Sequence, residues 1–206
     1  MRVLDTATQT ALEAETVAPR DFLSIFAKRR DTGEIVEDCY WSDEGTISAD
    51  IIDPITGLVA SRTFQGGGAM IQTSAVPLVV GLIVQNVTAQ FSQVDDRVQQ
   101  LLRTYDARQA RVELHRGMVD PQSGLLVAPA TPRFSGFVDQ LEVPTAKQGD
   151  EAGITATLTS HTQETTRSNP ATRSDADQRL RSATDGFFRH VTTIGEQNIY
   201  WGQEGA

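Results

Sequence analysis

Strand-like alternation dominates the pattern of apolar and polar positions along the chain. The clearest case is 153–160, where Ile154, Ala156 and Leu158 alternate with Thr155, Thr157 and Thr159. A half-buried antiparallel strand has this two-residue period. The same reading predicts a hairpin over 21–41, with strands 21–30 and 35–41 around Asp31, Thr32 and Gly33. A second hairpin is predicted over 46–64, its strands 46–52 and 58–64 joined through Asp53, Pro54 and Gly57. Asp opens such turns and Gly takes the backbone angle that other residues avoid. Further strands are expected at 78–91, 110–116, 125–128 and 134–143, with turns at 120–124 and 147–150. The apolar middle of 78–91 reads as a strand buried on both faces.

Helical spacing is rarer. Leu4, Ala7, Ala11, Leu12 and Ala14 predict a helix within 1–18, ended by Pro19. Residues 1–20 then form either a helix packed on its own domain or an arm that docks on a neighbour. Val94, Val98, Leu101 and Leu102 predict a short helix that ends near Tyr105, with Asp95 and Asp96 at its start. Ser174 caps a third, with Asp175 and Asp177 in its first turn. The glycines 66–68 lack the Gly-Lys-Ser/Thr ending of a phosphate loop and read as a connector or bulge.

Composition narrows the function more than it names it. The chain has 206 residues and a net charge of −9, which argues against binding nucleic acid by bulk electrostatics. That acidity serves solubility or a surface that faces DNA without holding it. Cys39 is the lone cysteine, so neither an internal disulfide nor a cysteine-rich metal site is expected; beside Tyr40 and Trp41 it reads as a small buried apolar residue. His115, His161 and His190 fall in no metal-ligand spacing, and no nucleophile elbow is present. Asp139 and Glu142 read as surface charges rather than a catalytic pair. No apolar run has the length of a signal-peptide core or a membrane span, so synthesis in the cytoplasm and no membrane partner are expected. The expectation is a non-enzyme with no cofactor and no metal.

The last segment, 166–206, differs from the rest. Arg167, Arg173, Arg179, Arg181 and Arg189 are interleaved with Asp175, Asp177, Gln178 and Asp185, and aromatic residues follow at Phe187, Phe188, Tyr200 and Trp201. Interleaved carboxylates suit protein–protein pairing better than phosphate binding. Arg and aromatic residues are the anchors that interfaces favour. These thirteen residues are the predicted interface; the plainer alternative is a helix and loop folded back on the chain's own sheets.

The order Phe134-Ser135-Gly136-Phe137-Val138-Asp139, the strand 154–159, Thr166-Arg167-Ser168-Asn169-Pro170, Arg173-Ser174-Asp175-Ala176-Asp177-Gln178, Asp185-Gly186-Phe187-Phe188 and Tyr200-Trp201-Gly202 resembles the tail-hub (tail-tip) proteins of long-tailed bacteriophages and gene transfer agents. The resemblance implies a mainly β (α+β) chain: antiparallel tube-type β-barrel domains with short peripheral helices. It implies that 21–165 holds two interleaved barrels or one. It also implies a homo-oligomeric ring, a trimer favoured over a hexamer, that continues the tail tube and adapts it to the tip. The partners implied are the distal tail protein and tail-tip or fibre proteins, and DNA passes through the lumen without specific binding. The place implied is the virion tail tip, assembled in the host cytoplasm. Some relatives carry a cysteine-bearing extension for an iron–sulfur cluster; with Cys39 alone, none is expected here. Alternatives are a hexameric distal tail ring and, from other classes, a cell-wall-degrading or receptor-binding tail-tip module.

Overall fold

The computed structural model describes residues 5–14, 17–77, 79, 81, 83–145, 153–166 and 171–196. The chain divides into two compact units, 1–165 and 166–206.

The first unit is built on one nine-stranded sheet, almost wholly antiparallel. Its strands are β1 (Ala18–Arg29), β2 (Ile35–Trp41), β3 (Thr46–Ile52), β4 (Val59–Gln65), β5 (Met70–Thr73), β6 (Asn86–Ser92), β7 (Tyr105–Val119), β8 (Thr131–Glu142) and β9 (Gly153–Ser160). Their order across the sheet is β3-β4-β2-β1-β7-β8-β9-β6-β5. Both predicted hairpins form, with Phe22 opposite Trp41 in the first and Ile47 opposite Phe64 in the second. The mainly β expectation holds: the sheet curls into a half-barrel with a few short helices.

The two ends of the sheet wrap opposite faces of β1 and β7. On one face Leu23, Ile25, Ala27, Val112 and Leu114 pack with Val87, Phe91, Ile154 and Leu158 from the far strands. Tyr40 meets Phe91 edge-on at 5.4 Å, which carries the curl from β2 across to β6. Thr73 donates to Asp21 at 2.7 Å and so ties β5 back to β1. On the other face Phe22, Cys39 and Trp41 pack with Ile47, Ala49, Ile51 and Phe64 from the second hairpin. There Ile51 bridges Ala130, just ahead of β8, and the Ile52 amide donates to the Ala130 carbonyl at 2.9 Å.

Five expectations need correction. Among the described residues of 78–85 none is in a strand; β6 begins at Asn86, and Val79 and Ile83 are exposed. Pro77 and Gly81 (φ 136°) interrupt that apolar run. The strands buried on both faces are instead β1 at 22–25 and β7 at 112–115. The segment 125–128 holds a single bridge, Val119 to Leu126, rather than a strand. β7 is much longer than 110–116, because the bulge between Phe26 and Lys28 lets pairing with β1 continue to Tyr105.

The helices match in place but not in extent. Helix α1 covers Thr6–Glu13 and buries no residue; Pro19 lies inside β1 and does not end it. Helix α2 (Asp96–Arg103) is capped by Asp95, which accepts from the Arg97 and Val98 amides, and it buries Val98 and Leu101. Val94 precedes the cap and is exposed, the fifth correction. Helix α3 (Gln163–Thr166) follows β9. In the second unit, helix α4 (Asp175–Arg181) starts from the Ser174 cap. A 3-10 turn follows at Ile194–Glu196. The turn at 147–150 lies outside the described residues.

Candidate assembly surfaces

The inner face of the second-hairpin half is graded in chemistry. Strand register stacks three rungs across β2, β1 and β7: Trp41–Phe22–His115, Cys39–Ser24–Glu113 and Glu37–Phe26–Arg111. Period-two alternation puts all nine side chains on one face. Arg62 of β4, on the same face as Phe64, reaches across them. Its Nη1 lies 2.8 Å from Glu113 Oε2 and donates to Ser24 at 3.1 Å, and its Nε lies 2.8 Å from Glu37. Arg111 holds the second oxygen of Glu113. Both guanidiniums sit against the Phe26 ring, at 5.2 and 4.5 Å from its centroid. Glu113 is fully buried, so two arginines supply the pairing that a buried carboxylate requires.

His115 is also fully buried. Its Nε2 donates to the Ile52 carbonyl at 3.0 Å, which fixes the tautomer and leaves Nδ1 without a partner. Burial pushes its pKa below the ordinary histidine value. Cys39 is buried as expected, and burial pushes its thiol up to about 12. Such a thiol stays protonated and inert. These groups join strands. Among the described residues no cluster of three or more His, Cys, Asp or Glu could hold a metal, and no helix is long and apolar enough to cross a membrane. Asp139 and Glu142 are exposed on β8.

Two turns share one structure. Asp53-Pro54-Ile55-Thr56-Gly57-Leu58 joins β3 to β4, and Asp120-Pro121-Gln122-Ser123-Gly124-Leu125 follows β7. In each the aspartate amide donates to the leucine carbonyl and the glycine amide donates to the aspartate carbonyl. In each the aspartate Oδ1 accepts the amide two residues on, and the Thr or Ser hydroxyl accepts the leucine amide. Gly57 and Gly124 have φ of 71° and 67°. Those backbone hydrogen bonds hold both carboxyls below the usual range. Each turn ends on an exposed leucine, Leu58 (69%) or Leu125 (62%). Both segments were legible as turns; their shared motif was the signal for the leucines, which the strand-and-turn reading passed over.

All thirteen predicted interface residues fall in the second unit, and ten of them are described; Arg167, Tyr200 and Trp201 lie outside the described residues. Asp175 pairs with Arg179 at 2.7 Å along α4. Gln178 donates to Asp185, which also accepts the Phe187 amide and has its pKa lowered by those two bonds. Phe187 and Phe188 meet edge-on at 5.0 Å. Asp177 contributes its amide to the Ser174 cap. Arg173, Arg181 and Arg189 are exposed and make no ion pair among the described residues. Helix α4 buries nothing, while Leu180 is 86% and Phe187 81% exposed. Charge is divided unevenly: 1–165 holds thirteen Lys/Arg against twenty-two Asp/Glu, and 166–206 holds five of each.

No protein-family model and no curated protein sequence matches the chain. Among solved structures, it is similar to a chain of a structure described as the virion of native gene transfer agent (GTA) particle, with a TM-score of 0.50 at 15% identity. The alignment covers 83% of this chain and 50% of that one, so this chain spans half the length of the chain it matches. At this identity the likeness is one of fold.

Proposed function

We propose that the chain is a structural, non-enzymatic component of a phage-like virion, and that within it the chain forms the hub ring of the tail tip. The observation that carries the reading is the likeness of its curled sheet to a chain from a gene transfer agent virion. The tail-hub resemblance of 134–139, 154–159 and the last segment points the same way. In this role the chain self-assembles into a closed ring, a trimer in preference to a hexamer, and sits beside distal tail and tip or fibre proteins. The C-terminal segment makes contacts between subunits. The acidic balance of 1–165 suits a lumen through which DNA slides, since DNA binding scales with neutralising Lys and Arg contacts.

Electron microscopy of purified particles tests this. A three-fold tail-tip ring containing the chain supports the hub role. A six-fold ring moves the chain to the distal-tail position and keeps its virion role. Absence from every particle overturns the proposal and favours a cell-wall-degrading or receptor-binding module.

A further inference from the structure

The cover over the inner face of the second-hairpin half stops one rung short. Phe22, Cys39 and Trp41 lie under the second hairpin, and Arg62 lies against Phe26. The next rung out pairs Lys28 with Ile35 on the same face, and no residue of the second hairpin lines the hollow there. Ile35 is 62% exposed. A bulge in β7 widens the opening. Between the pairs Phe26–Arg111 and Lys28–Asp106, four residues of β7 (107–110) face the single Ala27 of β1. The bulge turns Arg108 and Gln109 out to solvent while Ala107 and Ala110 stay buried. The resulting hollow has a volume of about 500 Å³. Phe26, Ile35 and Phe137 supply its apolar lining, and Lys28 and Arg108 flank them. Asp106 also lines it and accepts the Arg108 amide. Neither Lys28 nor Arg108 makes an ion pair among the described residues.

The complement of such a hollow is an exposed apolar side chain beside a carboxylate that no cation holds. The turn after β7 has this make-up. Leu125 is exposed, and Asp120 has no cationic partner among the described residues. The turn 53–58 does not, because Asp53 already lies 3.9 Å from Arg62. The C-terminal unit presents exposed arginines, which Lys28 and Arg108 repel. The hollow sits at the start of β7 and the turn follows its end. Arg111 and Asp120 are roughly 30 Å apart along the strand, so turn and hollow do not meet within one chain.

We propose that this hollow is a docking site, and that its occupant is the Asp120–Leu125 turn of a second copy of this chain. Leu125 enters against Phe26, Ile35 and Phe137, and Asp120 faces Lys28 and Arg108. Complementary charge sets the register of such a contact, and a desolvated apolar anchor holds it. Turn and hollow are different surfaces, so the contact is head-to-tail, the kind that closes into rings. The proposal rests on the ring reading above. The ring interface then has two parts, this contact and that of the C-terminal segment, and needs both.

The test uses the full chain and sedimentation analysis over a range of concentrations. The hollow variant carries Ile35→Asn and the turn variant Leu125→Asn. Both positions are exposed, so melting temperatures should stay near that of the unaltered protein. The unaltered protein should self-associate, more weakly in about 0.5 M salt. Each variant alone should associate at least about tenfold more weakly. An equimolar mixture of the two should recover a dimer and stop there, because only one intact pair of surfaces remains. Asp120→Asn keeps the oxygen that accepts the Gln122 amide and removes the charge. It should weaken association, as should Lys28→Gln with Arg108→Gln, and combining them should cost little more than either alone. Additive losses overturn the pairing of Asp120 with these cations. Self-association that either asparagine variant retains in full overturns this contact and leaves the ring reading standing. Loss in the hollow variant alone gives the hollow a different occupant and removes the turn. An unaltered protein that stays monomeric overturns both the contact and self-assembly into a ring.

Discussion

Arg62 is the residue on which the most strands converge. It is 10% exposed and serves Glu113, Glu37 and Ser24 at once, so it pins β4 to β2, β1 and β7. Arg62→Ala leaves the buried Glu113 with Arg111 alone and should cost about 3–5 kcal/mol in urea denaturation. Arg62→Met combined with Glu113→Leu removes both charges and should recover most of that loss. His115 predicts the acid limb of stability. Its folded pKa lies below the unfolded value of 6.5, so the neutral ring stabilises the fold fully above that value. The stabilisation is lost as pH falls below 6.5 toward the folded pKa, because the unfolded chain then binds the extra proton. Glu113 and Asp53 oppose the shift, and desolvation outweighs them. The slope from this group should reach at most about 1.4 kcal/mol per pH unit, and His115→Gln should flatten it in a stability–pH profile.

At the scale of elements, caps and crossings decide what the pattern alone leaves open. Helix α2 has only eight residues, too short to persist by itself, and stands on the Asp95 cap plus the burial of Val98 and Leu101. Asp95→Ala should cost about 1 kcal/mol by thermal melting. The crossing of β8 and β9 depends on Gly136, where an added Cβ would lie 2.0 Å from the Thr159 carbonyl oxygen. This explains a glycine in mid-strand, a position where it otherwise weakens the ladder. Helix α1 has the same length as α2 but buries nothing, so its amides should exchange with solvent far faster than those of β1 and β7.

At the scale of the whole molecule, β1 and β7 belong to both cores. Neither half of the first unit can lose its packing without exposing one face of strands that the other half needs. Residues 1–165 should therefore unfold in one cooperative step, with calorimetric and van't Hoff enthalpies in agreement. A chain cut after 165 keeps every strand of the sheet. If the C-terminal unit is the assembly segment, the same cut should abolish self-association.

The amino-acid pattern by itself determined the hairpins, most of the strands, the caps of α2 and α4 and the mainly β class. Those features follow from local rules: period-two alternation, Asp and Gly at turns, Asp and Ser at helix starts. It also set the Arg-rich and aromatic C-terminal segment apart from the acidic remainder. Local rules failed in the first part of the strand expected over 78–91, where the described residues ahead of Asn86 form no strand; whether a run is buried depends on which strands flank it. Sheet order settled that, placing β1 and β7 in the middle and giving them two covered faces. The same order brought Glu113, Ser24 and Arg62 together from positions far apart in the chain, which no spacing in the sequence announces. The tertiary structure alone also showed that the leucines of the two Asp-Pro turns stay exposed. Exposure and proximity arise from the packing of distant segments, and single-residue preferences do not encode them.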